Sequence, residues 1–259
     1  MKEIRIAEAF NRAWEGTKNN WAMLLALFAI YIAVSIANSS VQKLIVGQDG
    51  GLMTAFVGLG GALLGFLISI VFGLLLIKFS LRVAEENGAK VELFSEMELN
   101  GGEIIRYLLT YLLMMIVLSV AMAVCMAPVV VLGVVTVGAA VLSPHSGAWK
   151  ALIGPGLVCV ALAGVVLTYL SLSLSQMIYA CVHQKLGPME SLSESWRLTE
   201  GAKGGLMILV IASMALLVAG LICLLVGVIP AAMVLALAQP FVYLSLLEQS
   251  GPRPGSALA

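Results

Sequence analysis

GLMTAFVGLGGALLGFLISIVFGLLLI, residues 51–77, runs for 27 positions without a charged side chain. The hydrocarbon core of a bilayer takes ~20 apolar residues per helix, so this stretch is read as a transmembrane helix. Within it Gly61, Gly65, Ser69 and Gly73 recur every four residues. That spacing lines one face of a helix with side chains small enough for another backbone to approach closely. Immediately after the run, charge begins at Lys78 and Arg82.

The same alternation of apolar run and charged gap extends along the chain. Further runs lie at about 21–37, 104–127, 151–182, 204–226 and 229–247. Of 259 residues, 61% are hydrophobic and 11% charged, with a mean hydropathy of +1.06. Soluble domains carry about 25% charged residues, so lipid is the expected solvent. The expected fold is all-α: one polytopic transmembrane bundle of six spans over 1–247, with a flexible Gly/Pro-rich tail at 248–259. Twenty residues of mixed charge precede Trp21, unlike the short basic start of a secretory signal, so the first run is read as a retained span.

Charge orients the bundle. With six spans and the N-terminus inside, Lys2, Arg5, Arg12, Lys18, Lys78, Arg82, Lys90, Arg106, Lys185, Arg197, Lys203 and Arg253 fall on the inner side. Only Lys43 and Lys150 fall outside. Positive residues favour the cytoplasmic side, so both termini are expected there, at a bacterial inner membrane. The third run stays uncharged from 107 to 143, and Pro128, Gly133 and Gly138 offer breaks. A seventh span at Pro128 would carry Lys185, Arg197 and Lys203 outside. Residues 128–143 are therefore read as a kinked extension or re-entrant hairpin on the outer side. The net charge is zero and no basic cluster points to nucleic acid. The bilayer is the expected partner.

A second ladder of small residues, Ala215, Ala219, Cys223 and Gly227, marks the fifth span. Spans two and five are thus the expected packed centre of the bundle, and a homo-oligomer is compatible with such faces. Two inner segments are amphipathic. Ile6, Phe10, Ala13, Trp14 and Thr17 share a face opposite Glu8, Arg12, Glu15 and Lys18. Met189, Leu192, Trp196 and Thr199 oppose Glu190, Glu194 and Arg197, with Pro188 suited to a first helical turn. Both are expected to lie at the headgroup level with Phe10, Trp14, Leu192 and Trp196 towards lipid. A shorter third candidate is Val91–Leu99. The first two also align with each other: Ala9-Phe10-x-x-Ala13-Trp14-x-x-Thr17 against Ser191-Leu192-x-x-Ser195-Trp196-x-x-Thr199. A parallel internal duplication is a hypothesis this alignment raises.

The segment from Pro188 to Gly201, with Ser195-Trp196-Arg197-Leu198-Thr199 just before the fifth span, resembles a broad group of uncharacterised bacterial inner-membrane proteins. That group also supplies the membrane domain fused to some glycerophosphodiester phosphodiesterases. The group continues with Gly-Asn and an aromatic, where this chain has Gly201-Ala202-Lys203-Gly204-Gly205. What the resemblance implies is architecture: six spans with a surface helix before the fifth.

Catalytic chemistry has little to stand on. No acid, base or histidine lies deep in a run, and such residues usually mark ion pathways. No catalytic, cofactor-binding or metal-ligating residue is expected. Cys125, Cys159, Cys181 and Cys223 lack metal or disulfide spacing and read as small apolar residues. Thr168, Ser171, Ser175 and Gln176 in the fourth run, with Gln239 beside Pro240 in the sixth, are the candidates for a small polar cavity. The preferred reading is a non-enzymatic scaffold, organiser or assembly factor, with any protein partner on the cytoplasmic face. The alternative is a transporter or exporter of a small neutral or amphiphilic molecule.

Overall fold

The computed structural model describes residues 6–45, 52–91, 100–142, 148–222 and 227–251. These form eight helices: α1 (Ile6–Ile45), α2 (Leu52–Glu85), α3 (Gly101–Leu142), α4 (Ala148–Leu174), α5 (Met177–His183), α6 (Pro188–Thr199), α7 (Lys203–Ile222) and α8 (Val228–Ser250). Six helical stretches are long and apolar enough to cross a membrane, α4 and α5 counting as one. The protein is an all-α, multi-pass membrane bundle. Residues 248–250, expected in the tail, close α8 instead, while 252–259 lie outside the described residues. So do Cys223 and most of the third amphipathic candidate, 92–99. Residues 128–142 simply continue α3, with Pro128 inside the helix.

Packing is concentrated at one end. In α1 the buried residues end at Leu27, in α2 they begin at Ile70, and in α3 they end at Thr110. Beyond those points the helices turn apolar side chains such as Ile36, Leu63, Val124 and Val134 outward. Lipid can cover such surfaces at no hydrophobic cost, because its tails are as apolar as leucine.

α8 sits at the centre of the packed end, against α1, α2, α6 and α7. Its pairing with α1 is antiparallel and can be followed residue by residue. Glu8 and Arg12 share a groove with Leu244 and Glu248. Gly16 abuts Leu237, and Trp21 and Leu25 share a groove with Ile229 and Met233. The start of α8 therefore lies at the level of Leu25, and the second half of α1 runs on past it. Of the two spans expected at the centre, α2 packs against α1, α3, α5 and α8, whereas α7 lies to the side and α8 takes the place expected for it. Ala215 and Ala219 of α7 are exposed, and the close approach falls one residue on, at buried Gly220. A Cβ there would stand 2.8 Å from the Gly227 carbonyl oxygen.

The α2 ladder meets two neighbours. Asn38 of α1 donates Nδ2–H to the Gly61 carbonyl (3.2 Å), and the Tyr31 hydroxyl lies 3.3 Å from Ser69 Oγ. Tyr31 also stacks on Phe72, ring centroids 4.3 Å apart. Gly73 faces α3, where the Tyr107 hydroxyl occupies the space a Cβ would need.

The α1–α2 contact is locked by a polar clasp. α2 ends in a Schellman turn: Gly88 N–H donates to Val83 O and Asn87 N–H to Ala84 O, with Asn87 at φ 52° and Gly88 at φ 84°, the left-handed conformation such a cap requires. A side chain at Gly88 would also press on the Gly16 backbone. The chain then folds back onto Asn20, where α1 leaves helical geometry (φ −118°, ψ 16°). The buried Asn20 carboxamide donates to Gly16 O and Ala89 O and accepts from Val91 N–H at 2.9–3.0 Å. Asn19 donates to Gly88 O, and Arg12 to Asn87 Oδ1.

The two amphipathic segments occupy equivalent environments. Ala9, Ala13 and Thr17 are buried, as are Ser191, Ser195 and Thr199. Trp14 and Trp196 stand out at 46% and 41% exposure. Thr17 and Thr199 each donate to the carbonyl four residues back, Ala13 O and Ser195 O. The correspondence continues into the spans, with Leu24 and Leu27 buried like Leu206 and Leu209. The kink at Asn20 corresponds to the break between α6 and α7. Both segments dock by a face of small residues, so the tryptophan face is left for the surroundings. Phe10 and Leu192 are half-buried.

Asn20→Leu should lower stability by about 2–3 kcal/mol, since it strands a buried N–H and two carbonyls. Asn38→Leu, at the half-buried outer contact, should cost about 1 kcal/mol or less. Reversible unfolding in mixed micelles measures both.

Candidate functional site

Three features converge at the packed end: a break in the fourth span, a helix that seals it, and a polar chain leading to an open groove. The break lies at Ser175–Gln176, between α4 and α5. Ser175 Oγ turns back to donate to Leu172 O (2.8 Å), and Gln176 Nε2 reaches Ser175 Oγ (3.2 Å). The Ser173 carbonyl accepts from Ser195 Oγ of α6 at 2.6 Å. Gln176 is fully buried, and its Oε1 has no hydrogen-bond partner among the described residues.

α6 starts at Pro188, whose missing N–H costs nothing in a first turn. Glu190 reaches back to accept from Gly187 N–H. The buried face is Ser191, Glu194, Ser195 and Leu198, a 3-4-7 spacing of one helical side. Glu194, placed by its sequence pattern on the solvated face, is only 2% exposed. Arg197 makes this tolerable, donating to both Glu194 oxygens at 2.7 and 3.0 Å. That hydrogen bonding raises the guanidinium further above its ordinary range against the opposing effect of burial, so the pair stays ionised on the arginine side. Across α6, Trp196 meets Tyr169 edge-on, and Lys203 Nζ lies 3.4 Å from the Tyr169 ring centre and 4.8 Å from that of Trp196. These are cation–π distances.

The polar chain links four helices. Arg197 also donates to Ser250 O at the end of α8 (3.2 Å). Gln184 Nε2 stands 3.5 Å from Glu194 Oε1 and donates to the Tyr243 hydroxyl at 3.0 Å. Tyr243 in turn lies 3.4 Å from His183 Nδ1, and His183 Nε2 lies 3.2 Å from Glu85 of α2. One proton arrangement satisfies every member: Nε2–H donates to Glu85, and Tyr243 donates to Nδ1 while accepting from Gln184. Tyr179 stacks on Tyr243 beneath, with centroids 5.8 Å apart.

Glu85 opens onto the groove between α1, α2 and α8, of about 800 Å³. Its rim carries Glu8, Arg12, Glu85 and Glu248, and Phe241, Leu244 and Leu247 supply apolar surface. Three carboxylates and one guanidinium line it, and Glu85 also stands 3.7 Å from Arg82 Nη1 of its own helix.

The expected polar cavity does not assemble around its five candidates. Ser175 and Gln176 sit at the helix break, Ser171 is exposed, and Thr168 is half-buried. Gln239, half-buried on α8, shares no hydrogen bond with them among the described residues. Cys181 is buried, accepting from Thr110 Oγ1 (3.2 Å), and Cys125 and Cys159 are half-buried. Among the described residues no three His, Cys, Asp or Glu side chains gather as a metal site. Of the residues that make the site, Glu194 lies in the amphipathic Pro188–Gly201 segment, while Glu85, Gln184 and Tyr243 belong to no sequence motif. No family model, no curated protein and no solved structure matches the chain.

Breaking the buried pair from one side should be costly. Arg197→Met strands the Glu194 carboxylate and is expected to lose about 3 kcal/mol, whereas Glu194→Gln with Arg197→Met should recover most of that loss. Unfolding of the three proteins in the same detergent gives the coupling energy.

Proposed function

We propose that this protein organises or helps assemble other membrane proteins at the bacterial inner membrane, holding a client at its cytoplasmic end. The observation that carries the reading is the groove of α1, α2 and α8. It is wide, partly apolar, bordered by Glu8, Glu85 and Glu248, and set into the most firmly packed part of the bundle. Integral membrane proteins concentrate Lys and Arg in their cytoplasmic juxtamembrane segments, so a basic client segment complements this rim. Twelve of the chain's own fourteen basic residues fall on this side of the six-span arrangement, which supports placing the groove and both termini in the cytoplasm. The reading requires no chemistry of the polar chain beyond holding Glu85 and α8 in position.

A second reading, export of a small neutral or amphiphilic molecule, draws on the broken fourth span and the unpartnered Gln176 oxygen. Interrupted helices of this kind form substrate sites in secondary transporters.

A photo-crosslinker placed at Ser245 or Gln249 in living cells separates the two. The scaffold reading expects a discrete adduct with an integral membrane protein, reduced about tenfold or more by Glu85→Lys with Glu248→Lys through like-charge repulsion. Absence of any protein adduct, together with a solute flux abolished by Gln176→Leu, would replace it with the transport reading.

A further inference from the structure

Two turns back along α2 from Glu85, three cations from three separate helices or turns converge. Lys78 of α2, Arg106 of α3 and Lys185 after α5 line one cleft with Glu103, above a floor of Leu74, Cys181 and Val182. Lys78 pairs with Glu103. Arg106 spends its donors on carbonyls: Nε–H to Gly102 O (3.3 Å) and Nη1–H to Lys185 O (2.7 Å). No carboxylate pairs with Arg106 or Lys185 among the described residues, so the cleft carries an excess of two positive charges there.

Lys185 follows the C-cap of α5, where a left-handed residue commonly closes a helix. Lys185 has φ 54°, a left-handed conformation that glycine adopts without penalty and a long side chain does not. Its carbonyl is the one that holds the Arg106 guanidinium.

The cleft itself encloses only about 10 Å³, room for a water at most, so an anion would sit at its mouth. There Lys185 is exposed, and Arg106 Nη2 has no acceptor among the described residues. From the same level, Ile105, Leu109, Leu112 and Ile116 run along α3 as an exposed apolar stripe. A single molecule that matches both parts needs an anionic head and long apolar chains.

We infer that Arg106 and Lys185, supported by the Lys78–Glu103 pair, form a binding site for the headgroup of an anionic phospholipid whose acyl chains lie along α3. Basic pockets between membrane helices at the headgroup level take such lipids. The inference needs only that the chain spans a bilayer and is independent of the client groove.

Phosphatidylglycerol and phosphatidylcholine titrated onto the full-length protein, with bound lipid counted by native mass spectrometry, test it. The wild type should prefer phosphatidylglycerol. Arg106→Gln with Lys185→Gly should weaken that lipid by about thirtyfold, the loss expected for two interfacial charges, and leave phosphatidylcholine unchanged. Lys185→Gly relieves the strained backbone, so a folding defect is not expected from it, and Lys18→Gln serves as a basic-residue control. Equal weakening by Lys18→Gln, or undiminished phosphatidylglycerol binding by the double variant, would overturn the site. So would inorganic phosphate displacing the lipid completely, which would make this a site for a free anion.

Discussion

The carboxamide of Asn20 is where the bundle resolves its most difficult constraint. A helix that kinks and a chain that turns back both expose peptide groups, and near lipid each unpaired group costs several kcal/mol. Here the kink of α1 and the return of the chain after α2 are placed against each other. One side chain then satisfies Gly16, Ala89 and Val91 together. That fixes the angle at which the first segment of α1 meets α2, and so where Gly16 can receive Leu237 of α8. α8 can then be buried along most of its length.

From this follows a division of the molecule into two regimes. Around α8, side chains interlock and polar groups are paired, and the clusters built on Phe79, Leu237 and Tyr243 close the interior. Past Leu27, before Ile70 and after Thr110, helices lean on fewer contacts: a glycine carbonyl, a tyrosine hydroxyl, a stacked ring pair. The long hairpin of α3 and α4 packs chiefly on itself, with lipid as its other neighbour. A protein built this way has its geometry set at one end, and there the structure also gathers the groove, the polar chain and the cationic cleft.

Reading the chain alone captured what hydropathy and charge encode. The apolar runs gave the six membrane-crossing stretches, Pro188 marked the start of α6, and the Gly61–Gly73 ladder identified a face that neighbours approach. Other features depend on partners distant in sequence. Glu194 looks solvated by helical periodicity and is buried because Arg197 and Gln184 meet it. Gln239 and Gln176 look alike in composition, yet no hydrogen bond joins them among the described residues, although α5 and α8 meet at Tyr179 and Tyr243. α8 has no ladder to announce its central place, and its burial arises from the antiparallel register with α1. Two signals were available: the Asn19-Asn20 pair at the edge of an apolar run and the Asn87-Gly88 pair, which is turn chemistry. Neither names the other as its partner.

The register of α8 against α1 is the claim on which the rest stands, and cross-linking reads it directly. In a background freed of native cysteines, Glu8→Cys with Glu248→Cys and Leu25→Cys with Ile229→Cys should each be joined within one molecule by a short bifunctional thiol reagent in membranes. Ser40→Cys with Ile229→Cys should not, because α8 begins at the level of Leu25. The reverse pattern, with Ile229→Cys joined to Ser40→Cys and not to Leu25→Cys, would place α8 beside the far half of α1. It would contradict the packed end described here, together with the groove and the clasp that depend on it.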